Sequence, residues 1–255
     1  MRIATFNANS IRVRLDAVLD WLARHEPDVL ALQETKCEDS VFPAEAFEEM
    51  GYHVVHHGQK TYNGVAIVSR SPALNVARGF GFPDPDDRRL IAADIDGVRV
   101  INTYVPNGTR VGSDKFAYKL AWLSQFRDWL DRSARPDSPM VWLGDMNIAP
   151  TPDDVYDSAK LLGSVGHHPE EFAALAHVVD WGWQDVFRRH HQGPGHYTYW
   201  DYVVPTAFSR NLGWRIDHIY ASASFAPRCR SCVVDREPRA AARPSDHTFV
   251  VADFD

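Results

Sequence analysis

The chain is 255 residues long and carries 27 Lys+Arg against 34 Asp+Glu, a formal net charge of −7 with histidine neutral. That excludes a globally basic coat for nucleic acid and leaves only a local basic face for such a partner. Hydrophobic residues make up 45% and charged residues 24%, ordinary globular usage that is too apolar for an intrinsically disordered chain. No composition break or flexible linker divides the halves, so residues 1–255 read as one α/β domain rather than two small ones. Cys37, Cys229 and Cys232 are too few for a disulfide framework and fit a reducing compartment. The Cys229-x-x-Cys232 pair has no second pair or histidine cluster at zinc spacing and reads as two half-buried thiols. With no cleavable apolar N-terminal stretch and no membrane-length apolar run, the expectation is a soluble protein of the cytoplasm with no membrane partner.

Ile3 to Phe6 opens the chain as a strand. Ile11, Leu15, Val18, Leu19 and Leu22 then recur at helical spacing until His25-Glu26-Pro27-Asp28 interrupts them, and residues 29–32 return to strand. A short helix is predicted over 44–50, stopped by Gly51, followed by strands at 52–56 and 65–69 around a polar turn. Strands at 90–95 and 98–105 flank Asp96-Gly97, a strong two-residue hairpin signal that adds antiparallel pairing to the βα pattern. Phe116, Leu120, Leu123, Phe126 and Leu130 mark a long amphipathic helix, and 140–143 a buried strand. A helix over 169–179 and strands at 216–220, 232–234 and 249–252 complete the alternation. Strands too apolar to leave one face wet, with helices throughout, predict two packed mixed sheets with helices outside, a four-layer α/β sandwich. No heptad or spare interface segment is visible, which fits a monomer.

The polar residues fall in a pattern. Asn7 and Asn9 follow the first strand, Glu34 the second, and Asp145 with Asn147 the strand at 140–143; Asp217 sits inside Arg215-Ile216-Asp217-His218, and Asp246-His247 precedes the last strand. Loops at one edge of a rigid sheet are where sites are built. Singly, each residue reads as a solvated strand end, a cap or an Asx turn. Together, carboxylate and amide oxygens with an imidazole and no thiolate suit a hard cation such as Mg²⁺, with Mn²⁺ as substitute, and disfavour zinc.

Six ordered segments carry a resemblance: Ala4-Thr5-Phe6-Asn7, Leu32-Gln33-Glu34-Thr35-Lys36, Tyr104-Val105-Pro106-Asn107-Gly108, Gly144-Asp145-Met146-Asn147, Gly213-Trp214-Arg215-Ile216-Asp217 and Ser245-Asp246-His247. In order and spacing, over essentially the whole chain, they resemble the exonuclease III family of abasic-site endonucleases, whose superfamily has the deoxyribonuclease I-like sandwich. The resemblance implies a Mg²⁺-dependent DNA repair nuclease that cuts 5′ to abasic sites in double-stranded DNA, leaves a 3′-hydroxyl, and acts on blocked 3′ ends as exonuclease and phosphatase or phosphodiesterase. It makes Glu34 the central metal ligand, with Asn7, Asp145, Asn147, Asp246 and His247 around the ion and Asn9 behind them. One metal or two stays open.

In the same family Asp145 is the base for the attacking water, Asn147 orients water or phosphate, and His247, held by Asp217, stabilises developing charge. Tyr104 and Asn107 face the scissile phosphate, and Tyr199 and Trp214 line a pocket for the flipped base-free sugar. Arg88 and Lys119 are expected among the DNA contacts, from a set of basic residues near these loops that also includes Arg12, Arg14, Lys36, Lys60, Arg89, Lys115, Arg210 and Arg215. Trp181, Trp183 and Trp200 read as core. Phe6 departs from the tryptophan many relatives carry, and residues 153–170 are the least family-like part and are expected to face DNA. Two rivals share the scaffold: a non-catalytic nucleic-acid-binding relative, which would lose the carboxylates present here, and an inositol or lipid phosphatase, which gives no reason for the aromatics at 197–202 and 214.

Overall fold

The computed structural model describes residues 1–81 and 87–255. In chain order the elements are β1 (Arg2–Asn7), α1 (Ile11–His25), β2 (Val29–Gln33), α2 (Ala44–Glu48), β3 (His53–His57), β4 (Val65–Ser69), β5 (Leu74–Arg78), β6 (Leu90–Ile95), β7 (Val98–Tyr104) and α3 (Asp114–Ser133). There follow β8 (Met140–Asp145), α4 (Ser158–Leu161), α5 (Pro169–Val179), β9 (Trp183–Asp185), α6 (Val186–His190), β10 (Asp217–Ser222), β11 (Cys229–Asp235) and β12 (Phe249–Phe254).

Local chemistry sets the boundaries. α1 buries Ile11, Val18, Trp21 and Leu22 and stops at Glu26, whose left-handed φ of 44° precedes Pro27. The Ser113 hydroxyl accepts the Phe116 N–H at the start of α3. Asp96 and Gly97 both take positive φ, 49° and 80°, the geometry a two-residue hairpin needs, and Ile95 pairs with Val98 across it.

Two six-stranded sheets result, ordered β11-β12-β1-β2-β4-β3 and β5-β6-β7-β8-β10-β9. Each has one parallel pair at its centre, β1 with β2 and β7 with β8, joined through α1 and α3, and antiparallel neighbours outside. Ile3, Val29, Ala31 and Ile67 of the first sheet pack on Ile91, Val100, Val141 and Ile219 of the second. The alternate residues face outward: Ala4, Leu30 and Val68 against α1 and α2, and Ile101, Trp142 and Tyr220 against α3 and α5. This is the predicted four-layer sandwich. A buried polar bridge joins the sheets, with Gln33 donating to Asn102 Oδ1 at 2.7 Å and Asn102 donating to Leu32 O and Ala66 O, both at 2.9 Å.

β5 and β9 were not predicted. Both are edge strands; β5 exposes Leu74 and Asn75 and β9 has three residues, so neither buries enough to imprint a period-two pattern. Trp181, Trp183 and Trp200 are buried as expected, and Cys37, Cys229 and Cys232 are buried free thiols. No helix among the described residues is long and apolar enough to cross a membrane.

Candidate active site

Parallel strands end on one side, and the two central pairs end side by side. Asn7 closes β1, Glu34 follows β2, Tyr104 closes β7 and Asp145 closes β8. The antiparallel neighbours begin there: Asp217 opens β10 opposite Asp145, and His247 lies two residues before β12. Gly144 makes the approach possible, because its φ is +130° and a Cβ there would lie 2.0 Å from Thr103 O on β7.

Asn7 Nδ2 donates to Glu34 Oε1 at 2.9 Å and to Asp145 Oδ2 at 2.8 Å, drawing the two carboxylates together across the sheets. His247 Nδ1 is 2.8 Å from Asp217 Oδ2, and its Nε2 is 3.8 Å from Asp145 Oδ2. Asp217 is steadied by Thr198, whose hydroxyl accepts the Ile216 and Asp217 N–H groups, each at 3.1 Å. Ser245 Oγ donates to Asn7 O at 2.8 Å and ties the last loop to β1.

The charges interact strongly. Burial pushes the Asp145 carboxyl up to about 7; the His247 charge opposes this, and the Asp217 and Glu34 charges add to it. Burial works against the His247 imidazolium, but the Asp217 and Asp145 carboxylates outweigh it and hold the ring up at about 10. Tyr104 is kept protonated by burial and by the Glu34 and Asp145 charges, with the Arg89 guanidinium 4.6 Å from its ring centre.

Glu34, Asp145 and His247 each offer an atom within 4.8 Å of the others, a group of the size that holds a divalent cation. Two crowded carboxylates, one of them pushed up by burial, fit a hard cation with oxygen ligands. With both ring nitrogens facing carboxylates the imidazole acts as a donor, which leaves the Glu34 and Asp145 oxygens for the ion. Asp246 lines the same cleft but lies outside the group of three, its Oδ1 accepting from Asn9 Nδ2 at 2.9 Å. The two asparagines expected as ligands also bond to their neighbours. Asn7 Oδ1 accepts the Asn9 N–H at 2.9 Å, while Asn147 donates to Val105 O at 2.9 Å and accepts from Asn107 Nδ2 at 3.0 Å. As arranged, they hold their neighbours in place.

The cleft has a volume of about 410 Å³ and continues past Asn107 and Asn147 to a wall made by Tyr199 and Trp214. These two pair through main-chain bonds of 2.9 Å in both directions, and the Tyr199 ring lies 5.0 Å from that of His247. The aromatic stretch thus divides: Tyr199 and Trp214 face the cleft, whereas Tyr197 and Trp200 pack in a small core with Ala207.

The basic residues are redistributed relative to expectation. Lys119 does not reach solvent; its ammonium is buried against Glu171, so it cannot clamp a phosphate. Arg215 is likewise buried, 2.6 Å from Asp154 and 2.8 Å from Asp185, and Arg188 joins the same network through Asp154. Arg88 lies outside the cleft lining, 3.2 Å from His57 Nε2. Lys36 comes closer than expected, with Nζ 2.8 Å from Glu34 Oε2 and 2.6 Å from Asn9 Oδ1. Within residues 153–170, Val165 and Gly166 line the cleft, but Asp154 and His167 are buried, so only part of the segment is available to a substrate. Glu171 and Asp154 gave no signal in the sequence, since an acid in the first turn of a helix ordinarily reads as a solvated dipole partner.

A cleft that gathers oxygen acceptors for a hard cation beside protonated donors for an anionic oxygen suits hydrolysis of phosphate esters, and comparison with known proteins returns enzymes of that class. Residues 4–247 match the endonuclease/exonuclease/phosphatase family. Exodeoxyribonuclease III of Haemophilus influenzae is 34% identical over the whole of both chains. Among solved structures, an AP endonuclease from Archaeoglobus fulgidus is 43% identical with a TM-score of 0.95 over 100% of this chain and 99% of that one. A 3′-5′ exonuclease from Neisseria meningitidis is 44% identical with a TM-score of 0.96 over the whole of both. The chain therefore belongs to the endonuclease/exonuclease/phosphatase family, in its exonuclease III branch, and is a hydrolytic nuclease of DNA repair.

Proposed function

We propose that the enzyme hydrolyses the phosphodiester 5′ to abasic sites in duplex DNA, leaving a 3′-hydroxyl, with Mg²⁺ as its cofactor and Mn²⁺ able to substitute, and that it also trims and cleans blocked 3′ ends. The observation that carries this reading is the alignment of Asp217, His247 and Asp145 beside a small cleft walled by Tyr199 and Trp214. Glu34 and Asp145, with Asp246 beside them, are the residues for Mg²⁺, whose chemistry when bound is neutralisation of the phosphate's negative charge.

Asp145, which lines the cleft beside His247, is the carboxylate placed to take a proton from the attacking water. His247 donates from Nε2 to a non-bridging phosphate oxygen, and Asp217 fixes its ring. Tyr104, held protonated, supplies a further donor at the phosphate, and Asn107 and Asn147 flank it. Flipping a nucleotide costs a few kcal/mol and least where no base is stacked, so a narrow aromatic pocket favours the base-free sugar. The relatives described as exodeoxyribonuclease III, AP endonuclease and 3′-5′ exonuclease support the same chemistry.

Product chemistry tests this directly. A 5′-labelled duplex with a single abasic site should give a fragment that DNA polymerase extends without further treatment. A fragment that resists extension until treated with a 3′-phosphatase would contradict the proposed bond.

A further inference from the structure

Lys119 of α3 and Glu171 of α5 form an ion pair with neither side chain exposed. Burying such a pair is costly, and its replacement by apolar side chains is often neutral or stabilising, so its presence here calls for a reason other than stability. Its bonds supply one. Lys119 Nζ donates to Glu171 Oε1, to Asn147 O at 2.8 Å and to Asn107 O at 3.2 Å, which uses all three of its N–H bonds. The other carboxylate oxygen, Glu171 Oε2, accepts the Gly166 N–H at 2.7 Å.

Each tethered residue belongs to the cleft. Asn107 and Asn147 are joined side chain to side chain at 3.0 Å, and the Asn147 N–H donates to Asp145 Oδ1 at 2.8 Å. Asn147 has a left-handed φ of 50°, which asparagine tolerates better than other residues with a side chain and which turns its carbonyl toward Lys119. Gly166 abuts the sugar-side wall so closely that a Cβ there would lie 3.2 Å from the Trp214 ring and 3.4 Å from Asn147 O.

We infer that the Lys119–Glu171 pair is a positioning node that sets Asn107 and Asn147 on the phosphate side and Gly166 against Trp214 on the sugar side in one frame, an inference that rests on the proposed function of the cleft. The pair touches no substrate. It turns the two asparagine carbonyls inward, which leaves their side chains and the Asp145 contact in register. Without it, the loops after β7 and β8 lose their shared anchor while the sheets that carry Glu34, Asp217 and His247 stay as they are.

The test is the double variant Lys119→Met with Glu171→Leu, which removes both buried charges and keeps their volume. Expected are a folded protein whose melting temperature falls by several degrees, because Asn107 O, Asn147 O and the Gly166 N–H lose their partners, a KM for abasic duplex close to that of the wild type, and a kcat lowered about a hundredfold, the cost of a misplacement of roughly 1 Å. Amide hydrogen exchange should quicken at residues 105–109 and 145–149 and not in β1 or β2. A folded double variant with wild-type kcat, or one whose KM rises while kcat holds, would overturn the inference. Should the double variant not fold, Glu171→Gln serves instead: its single acceptor cannot serve both Lys119 and Gly166, and the lost bond should lower kcat about tenfold. Wild-type kcat in a folded Glu171→Gln protein would overturn the inference equally. Wild-type protein runs in the same assay, and its failure to cut abasic duplex would count against the reading of the cleft, which separates the two failures.

Discussion

His247 Nδ1 lies 2.8 Å from Asp217 Oδ2, and both side chains are buried. The carboxylate is the largest influence holding the ring in its charged form, ahead of Asp145. Because the folded value of about 10 lies above the ordinary 6.5, the stabilisation is complete below about pH 6.5 and is lost as pH rises through 10. In chelator, the wild-type melting temperature should therefore fall between those limits, and Asp217→Asn should flatten that slope. The same variant should lower kcat about a hundredfold or more by loosening the donor, with little change in KM. An unchanged slope would show that Asp217 does not set the charge of the ring.

Asp145 also lowers stability as pH rises, but in a lower window and because its charged form is the disfavoured one. Its folded value of about 7 lies above the ordinary 3.8, so the ionised carboxylate is a burden that grows as pH rises from 3.8 through 7. Mg²⁺ should raise the melting temperature more at pH 8 than at pH 5.5. Asp145→Asn should melt no lower than wild type in chelator at pH 8, lose its response to Mg²⁺, and retain almost no turnover; Glu34→Gln should likewise fold and lose turnover. Near-native rates in either variant would remove the two carboxylates from the reaction.

Arg215 belongs to the fold rather than to the substrate surface. Burial works against the Asp154 carboxylate, but Arg215 outweighs it and draws Asp154 down to about 2. Asp185 is drawn down by the same guanidinium. Removing one partner of a buried pair costs about 3–5 kcal/mol, so Arg215→Met should lower the melting temperature by roughly 10 °C. The Asp154 contribution is present above about pH 3.8 and lost as pH falls through 2, so acid unfolding of the wild type should steepen there. A normal melting temperature combined with weakened DNA binding would return Arg215 to the set of phosphate contacts.

Trp214 tests the pocket. Trp214→Ala should lower abasic-site selectivity more than affinity for undamaged duplex, in line with the ~1–3 kcal/mol that aromatic contacts supply per base in single-strand binders. Equal losses on both substrates, measured by competition binding, would reduce the ring to packing.

How much of this was legible in the sequence follows from what each residue does with its neighbours. The central strands were readable because both faces are buried and their apolar runs are unbroken, as in β4 and β8. The positions of Asn7, Glu34, Asp145, Asp217 and His247 were readable because each lies at the end of a strand or within two residues of one. Their hydrogen-bond directions were not, since an asparagine offers a donor and an acceptor and only the fold decides that Asn7 presents its N–H₂ to Glu34 and Asp145. Nor did the sequence separate buried from exposed cations. Lys119 lies three residues after Phe116 and four before Leu123, on the buried face of α3, so its spacing pointed inward while its residue type pointed outward, and only the packing of α5 on α3 brings Glu171 to it.

The measurement that bears most directly on the central claim uses two end-labelled duplexes, one with a single tetrahydrofuran abasic analogue and one undamaged with a recessed 3′ end, in Mg²⁺ and then in excess chelator. One cut immediately 5′ to the analogue is expected in Mg²⁺, none in chelator, and a ladder from the recessed end whose extent measures the accompanying exonuclease. Folded protein that cuts neither duplex in Mg²⁺ or Mn²⁺, or that cuts equally well in chelator, would contradict that claim.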